Sequence, residues 1–91
     1  MDKWEIVVVK IESDADGLYT ATSAQLAGVC VVHPDKDRVI EDLPNIVKLW
    51  FKRNRGIDVT AFVGPLRDID SFSELPIAPI PAEIAAQALS R

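Results

Sequence analysis

The spacing of apolar positions along the chain predicts three strands followed by one long helix. Residues 4–11 read WEIVVVKI, a run rich in β-branched side chains that is too short for a surface helix. Residues 18–22 follow a run of turn-forming residues that ends in Gly17, so we expect a β-hairpin. A third apolar run, residues 29–32, stops just before Pro34, because proline cannot donate a hydrogen bond to a neighbouring strand.

A period of three to four residues then predicts a helix over residues 35–54. Its apolar stripe consists of Val39, Leu43, Ile46, Val47, Trp50 and Phe51. Asp35 is the expected N-cap, and Gly56 fits the left-handed position after the helix. Pro44 removes one helical hydrogen bond and clashes with the preceding turn, so we expect a kink there, or two helical pieces that meet.

The C-terminal third of the chain is divided by prolines. Residues 57–63 predict a fourth strand. Prolines interrupt residues 66–81, so we expect an extended segment there rather than a helix or a central strand, and a short helix over residues 81–90. The predicted fold is α+β with the order βββαβ: an antiparallel three-stranded sheet and one helix in residues 1–65, then the extended segment and short helix in residues 66–91.

Composition places the chain among small globular domains. Its 91 residues are 48% hydrophobic and 26% charged, enough for one modest core, so we expect self-association. The net charge of -4 argues against general affinity for nucleic acid and suits a basic partner. Cys30 is the single cysteine, and we find neither a secretory signal nor an apolar run of about 20 residues, so we expect a cytoplasmic protein that does not enter membranes.

Several short motifs resemble one known family. Residues 17–23 (GLYTATS) and 26–28 (LAG) resemble the HicB-like pattern of a hairpin glycine, an aromatic residue, an alanine and a Pro-Gly loop before strand three. Asp35 stands where that family has a threonine helix cap, and residues 43–46 (LPNI) resemble the proline-containing helix of one family branch. The similarity covers residues 4–63, and the order and spacing of the motifs carry it.

The resemblance implies a partial ribonuclease H-like fold without the catalytic carboxylates of that enzyme. In HicB-like antitoxins this fold binds a small toxin that cleaves RNA. Such antitoxins often carry a C-terminal helix-turn-helix or ribbon-helix-helix module, whereas residues 66–91 supply only one short helix. We therefore expect a non-catalytic, antitoxin-like protein-binding module that neutralises a small basic toxin, with a homo-oligomeric scaffold without a toxin, or an RNA-binding domain, as alternatives.

Two clusters have a chemical and a structural interpretation. One set imitates the start of a calcium loop: Glu12, Asp14, Asp16 and Gly17. Ser23 occupies the position that requires a glutamate, so a turn is preferred. Cys30 and His33 suggest a metal site or a nucleophile with its base, but they point to opposite faces of a strand and have no second Cys or His. We expect a buried Cys30, a loop His33, and neither a cofactor nor an enzymatic activity.

Three further sets of residues have binding interpretations. A basic helix end could contact phosphate, although helix-dipole complementarity explains it equally well: Lys48, Lys52, Arg53 and Arg55. The aromatic residues fit core packing better than base stacking: Trp4, Tyr19, Trp50, Phe51 and Phe62. The apolar side chains of the C-terminal segment are expected to dock on a second subunit or a partner, or else to cover the chain's own sheet: Leu75, Ile77, Ile80, Ile84 and Leu89.

Overall fold

The computed structural model describes residues 6–89, without the side chains of residues 88 and 89, so Trp4 lies outside the described residues. The fold is α+β, and the described part contains six strands and two helices. The elements are Val7–Ser13 (β1), Tyr19–Thr22 (β2), Cys30–His33 (β3), Lys36–Arg55 (α1), Val59–Val63 (β4), Arg67–Ile69 (β5), Phe72–Pro81 (β6) and Ala82–Leu89 (α2). The predicted order βββαβ is confirmed as far as β4.

The strands form one antiparallel sheet in the order β3-β2-β1-β6-β4, and β5 pairs with the first residues of β6. β1 pairs with β6 from Val7 opposite Ile77 to Glu12 opposite Phe72. The expected sheet of three strands and one helix is therefore wrong, because the sheet continues past β1 through strands that the C-terminal segment supplies. β6 connects the two halves of the sheet.

The C-terminal segment is extended as expected, but the expectation that it does not form a central strand is wrong, because β6 lies between β1 and β4. The Pro76 carbonyl accepts a hydrogen bond of 2.8 Å from the Gly64 N–H, so the backbone of Pro76 faces the gap between β4 and β5. Backbone direction alternates along a strand, so Pro79 and Pro81 face the β1 side, where the described pairing ends at Ile77. Within residues 6–89, Pro79 and Pro81 therefore interrupt no hydrogen bond of the β1–β6 pairing, and Pro76 keeps its carbonyl as an acceptor.

One face of the sheet packs against α1 and forms the core. Val7, Val9 and Ile11 of β1 alternate inward, and the helix contributes the buried residues of the predicted stripe. These helix residues are Val39, Leu43, Val47 and Phe51. Ile46 and Trp50 are only partly buried and lie at the margin of the core, on the β3 side of the helix.

The ends of α1 form as the sequence predicts. The Asp35 carboxylate accepts a hydrogen bond of 3.0 Å from the Asp37 N–H, and Gly56 adopts φ 63° while its N–H donates to the Lys52 carbonyl. The expectation of two helical pieces at Pro44 is wrong, because α1 is one uninterrupted helix. The proline costs one backbone hydrogen bond, which packing of the apolar face offsets.

The last helix, α2, packs against β4 and β6. The Ala82 N–H donates a hydrogen bond of 2.9 Å to the Asp58 carbonyl, and Ala85 is buried. Neither helix within the described residues has the length and apolar content needed to cross a bilayer.

Candidate functional site

β3 is an edge strand, because within residues 6–89 it pairs with β2 alone. In the β1–β2 hairpin the Asp14 N–H donates to the Leu18 carbonyl at 2.9 Å. Because backbone hydrogen bonds alternate between the two sides of a strand, the even-numbered residues of β2 form hydrogen bonds with β1 and the odd-numbered residues form them with β3. Their partners in β3 are Val31 and His33. The N–H and C=O groups of Cys30 and Val32 therefore point away from the sheet. We call these outward groups of Cys30 and Val32 the β3 edge.

A groove of about 440 Å³ lies between the β3 edge and α1. Its strand wall includes Cys30 and Val31, and its helix wall is apolar, with Ile46, Leu49 and Trp50. Leu49 is 55% exposed although it belongs to a helix that packs on the core. We call this feature the β3 groove. The groove places apolar surface beside backbone groups that no strand in the described part of the chain pairs with.

Trp50 fixes the shape of the β3 groove. Its indole Nε1 donates a hydrogen bond of 2.9 Å to the carbonyl of Ala27, in the loop between β2 and β3. Its ring packs edge-to-face on Phe51, with centroids 5.2 Å apart. Because Phe51 is buried in the core, the helix wall and the loop are held together by a side chain that is anchored in the protein interior.

The basic end of α1 is partly occupied by contacts within the chain. The Lys52 Nζ lies 3.1 Å from the Asp58 carboxylate, and the Arg55 guanidinium lies 5.7 Å from the Trp50 ring centroid. Arg53 lines the β3 groove and forms no ion pair with any described residue. Among the described residues, Arg53 is therefore a cation of the groove lining that has no ion pair.

The cysteine and histidine candidates separate in the structure. Cys30 is exposed, so the expectation of a buried cysteine is wrong; its side chain lies on the face of the sheet opposite α1, where nothing in the described part covers it. The His33 Nδ1 accepts a hydrogen bond of 2.9 Å from the Asp35 N–H, so the ring supports the turn before α1. Residues 6–89 contain no group of three or more His, Cys, Asp or Glu side chains placed to hold a metal.

The aspartates of the hairpin also have a structural role. The Asp14 carboxylate accepts hydrogen bonds from the N–H groups of Asp16, at 2.8 Å, and Leu18, at 3.0 Å. This arrangement is a side-chain-stabilised turn, so the turn interpretation is confirmed.

A polar cluster links α1 to the β5–β6 hairpin. The Ser73 hydroxyl donates to the Asp68 carboxylate at 2.6 Å and accepts from the Lys36 ammonium at 3.0 Å. The hydrogen bond from Ser73, and secondly the charge of Lys36, lower the pKa of the Asp68 carboxyl from its ordinary value of 3.8. These contacts join the first residue of α1 to the β5–β6 hairpin.

The five apolar residues proposed as a docking strip do not form one surface. Leu75 and Ile77 are 2% and 0% exposed, so their side chains belong to the chain's own core and cannot meet a partner in this fold. Ile80 points to the other face of β6 and is half-buried, and Ile84 on α2 is exposed. The Leu89 side chain lies outside the described residues.

Sequence reasoning missed the β3 edge and groove. Two signals were present: Leu49 lies off the apolar stripe of α1, and Val32 alternates with the inward-facing Val31. Comparisons of the chain with protein-family models, curated proteins and solved structures found no match. The site is therefore interpreted from its geometry.

Proposed function

We propose that the chain is a non-catalytic protein-binding module that accepts an extended segment of another protein along the β3 edge. The observation that carries this proposal is the position of the backbone donors and acceptors of Cys30 and Val32, which pair with no strand within residues 6–89, beside an apolar groove. A strand added there would form main-chain hydrogen bonds with the edge and place alternate side chains in the groove.

β3 lacks the features that usually prevent an edge strand from pairing. None of its four residues is a proline, a lysine or a carboxylate. The side chains that flank the edge are apolar and exposed, with Val32 at 52% and Leu49 at 55%. An added strand would cover both of these surfaces.

The proposed partner is a small basic protein that cleaves RNA, which this chain neutralises as an antitoxin-like, cytoplasmic module. Two observations support this choice: the net charge of -4, and the HicB-like motifs in residues 17–28 and 43–46. The finer fold proposal, a partial ribonuclease H-like domain, rests on the order βββαβ of the first five elements.

A homo-oligomeric scaffold is the second candidate function, and the same edge favours it, because an antiparallel edge strand can pair with a copy of itself. RNA binding has less support, since Lys52 and Arg55 already contact Asp58 and Trp50 within the chain. Both leading candidates are protein binding, and the bound protein is either another copy of this chain or a different protein. Both use the β3 edge and the β3 groove.

Co-expression tests the antitoxin-like function. The small basic protein encoded directly beside this gene is expressed in bacteria in three ways: by itself, together with the wild-type chain, and together with the Val32→Pro variant. Val32→Pro removes an outward N–H of the β3 edge. Growth arrest by the basic protein, rescue by wild type and loss of rescue by Val32→Pro are the expected results. The absence of such a neighbour, or equal rescue by Val32→Pro, would contradict the proposal. Val32→Thr keeps the N–H and should rescue like wild type.

A further inference from the structure

We infer that, in the absence of another partner, the β3 edge is occupied by the β3 edge of a second copy of this chain. The inference rests on the proposed function of this edge and names its occupant. Two copies would pair antiparallel around a twofold axis, so that the sheet continues from one molecule into the next. Three features of the chain favour this occupant: its backbone register, the apolar groove and the position of Arg53.

The outward groups restrict the register. When Cys30 of one copy lies opposite Val32 of the other, Val31 lies on the twofold axis, opposite Val31 of the second copy. In this register all outward N–H and C=O groups of both residues find partners. Pro34, two residues beyond Val32, has no N–H to offer, and β3 begins at Cys30, so a shift in either direction leaves outward groups unpaired.

The same register fills the β3 groove. Val31 points to the α1 side of the sheet, so on the twofold axis it meets Val31 of the second copy below the helix wall. Ile46 and the exposed Leu49 form that wall in each copy. The added strand therefore brings an apolar side chain to the apolar groove, on both sides of the axis.

Charge complementarity supports a second copy over an arbitrary strand. In this antiparallel arrangement the residues that follow β3 in the second copy, Asp35 among them, approach the loop that precedes β3, and Ala27 of that loop lines the same groove as Arg53. Asp37 lies in the first turn of α1, two residues after the N-cap Asp35. Arg53, which has no ion pair among the described residues, would then face two carboxylates of the second copy, and the symmetric contact forms on the other side. Two copies that each carry a net charge of -4 need such local attraction in order to associate.

Sedimentation of the full chain tests the inference. Wild type should show a concentration-dependent monomer–dimer equilibrium in the micromolar range, as expected for a small interface. Val32→Pro removes one outward N–H from each copy and should weaken the dimer by about tenfold or more. Val32→Thr retains the N–H and should dimerise like wild type. Val63→Pro places the same change at the other sheet edge, on β4, and should leave the dimer unaffected.

Disulfide cross-linking tests the register without relying on a proline. In Val32→Cys, the introduced cysteine lies opposite Cys30 of the second copy, at a separation that a disulfide spans. Oxidation should give a covalent dimer. The wild-type cysteines would be two residues out of register, roughly 8 Å apart between Cα atoms, and should not cross-link. Wild type cross-linking as readily as Val32→Cys would overturn the proposed register.

Charge reversal separates this contact from a general effect on the fold. Arg53→Glu should weaken the dimer severalfold, and the double variant Arg53→Glu/Asp37→Arg should restore it. A wild-type chain that remains monomeric with no cross-linking of Val32→Cys overturns the second copy as occupant, as does a dimer that Val32→Pro leaves intact. The antitoxin-like function is judged separately by growth rescue, so the two failures are distinguishable.

Discussion

The Trp50 indole donates a hydrogen bond to the Ala27 carbonyl at 2.9 Å and thereby joins α1 to the loop that precedes β3. Both residues line the β3 groove, so this bond holds its helix wall against its loop wall. The Asn54 side chain donates to the Trp50 carbonyl at 2.9 Å, which adds a second contact at the same end of α1. Trp50 therefore connects the helix wall of the groove to its loop wall.

Trp50→Phe keeps an aromatic ring but removes this hydrogen bond. We expect a loss of about 1 kcal/mol in the free energy of unfolding, because one hydrogen bond typically contributes that amount. Leu49→Ala removes exposed apolar surface from the same wall and should change the free energy of unfolding by less than about 0.5 kcal/mol. Urea denaturation followed by circular dichroism measures both; equal stabilities of wild type and Trp50→Phe would show that the contact does not hold the groove.

Ile77 and Ile84 provide a matched test of the C-terminal segment. Ile77 is fully buried in the middle of β6, so Ile77→Ala should cost about 2–5 kcal/mol in the free energy of unfolding. Ile84 is 40% exposed on α2, and Ile84→Ala should cost much less. Thermal unfolding of both variants measures the difference. Similar effects would indicate that β6 is not part of the core.

The Asp68 carboxylate gives the fold a dependence on pH. Its pKa is lowered in the folded chain, so its contribution to stability is complete above the ordinary value of 3.8 and is lost as pH falls from there through the lowered pKa. Asp68→Asn should therefore be less stable than wild type at neutral pH and equal to it at strongly acidic pH. The midpoint of thermal unfolding, measured as a function of pH, tests this. Parallel curves for wild type and Asp68→Asn would contradict a stabilising role of the Asp68 carboxylate.

The sequence predicted those elements that are determined by residues close together in the chain. The helix stripe, the Asp35 cap and the Gly56 ending all depend on residues within a few positions of one another, and the structure confirms them. The position of β6 in the middle of the sheet was not predictable in this way. A central strand tolerates a proline where the ring nitrogen faces no acceptor of a paired strand. Where the neighbouring strands begin and end is set by residues far away in the sequence. Gly64 shows the same limit: a Cβ there would lie 2.9 Å from the Pro76 ring, a contact between residues far apart in sequence.

The candidate site depended on topology in the same way. The motifs around the hairpin and α1 suggested protein binding, but they did not identify a surface. Which strand lies at the edge of the sheet is set by long-range pairing, and so is the exposure of Cys30. Leu49, outside the apolar stripe, was the one local indication that α1 has a second apolar surface.

Hydrogen exchange at single backbone amides tests strand addition at β3 most directly. The amides of Val31 and His33 bond within the sheet and should be protected at every protein concentration, whereas those of Cys30 and Val32 should exchange rapidly in dilute solution. As the concentration rises, or when a partner is added, protection should appear at Cys30 and Val32. Amides of these two residues that stay unprotected in the dimer and in the partner complex would contradict the account.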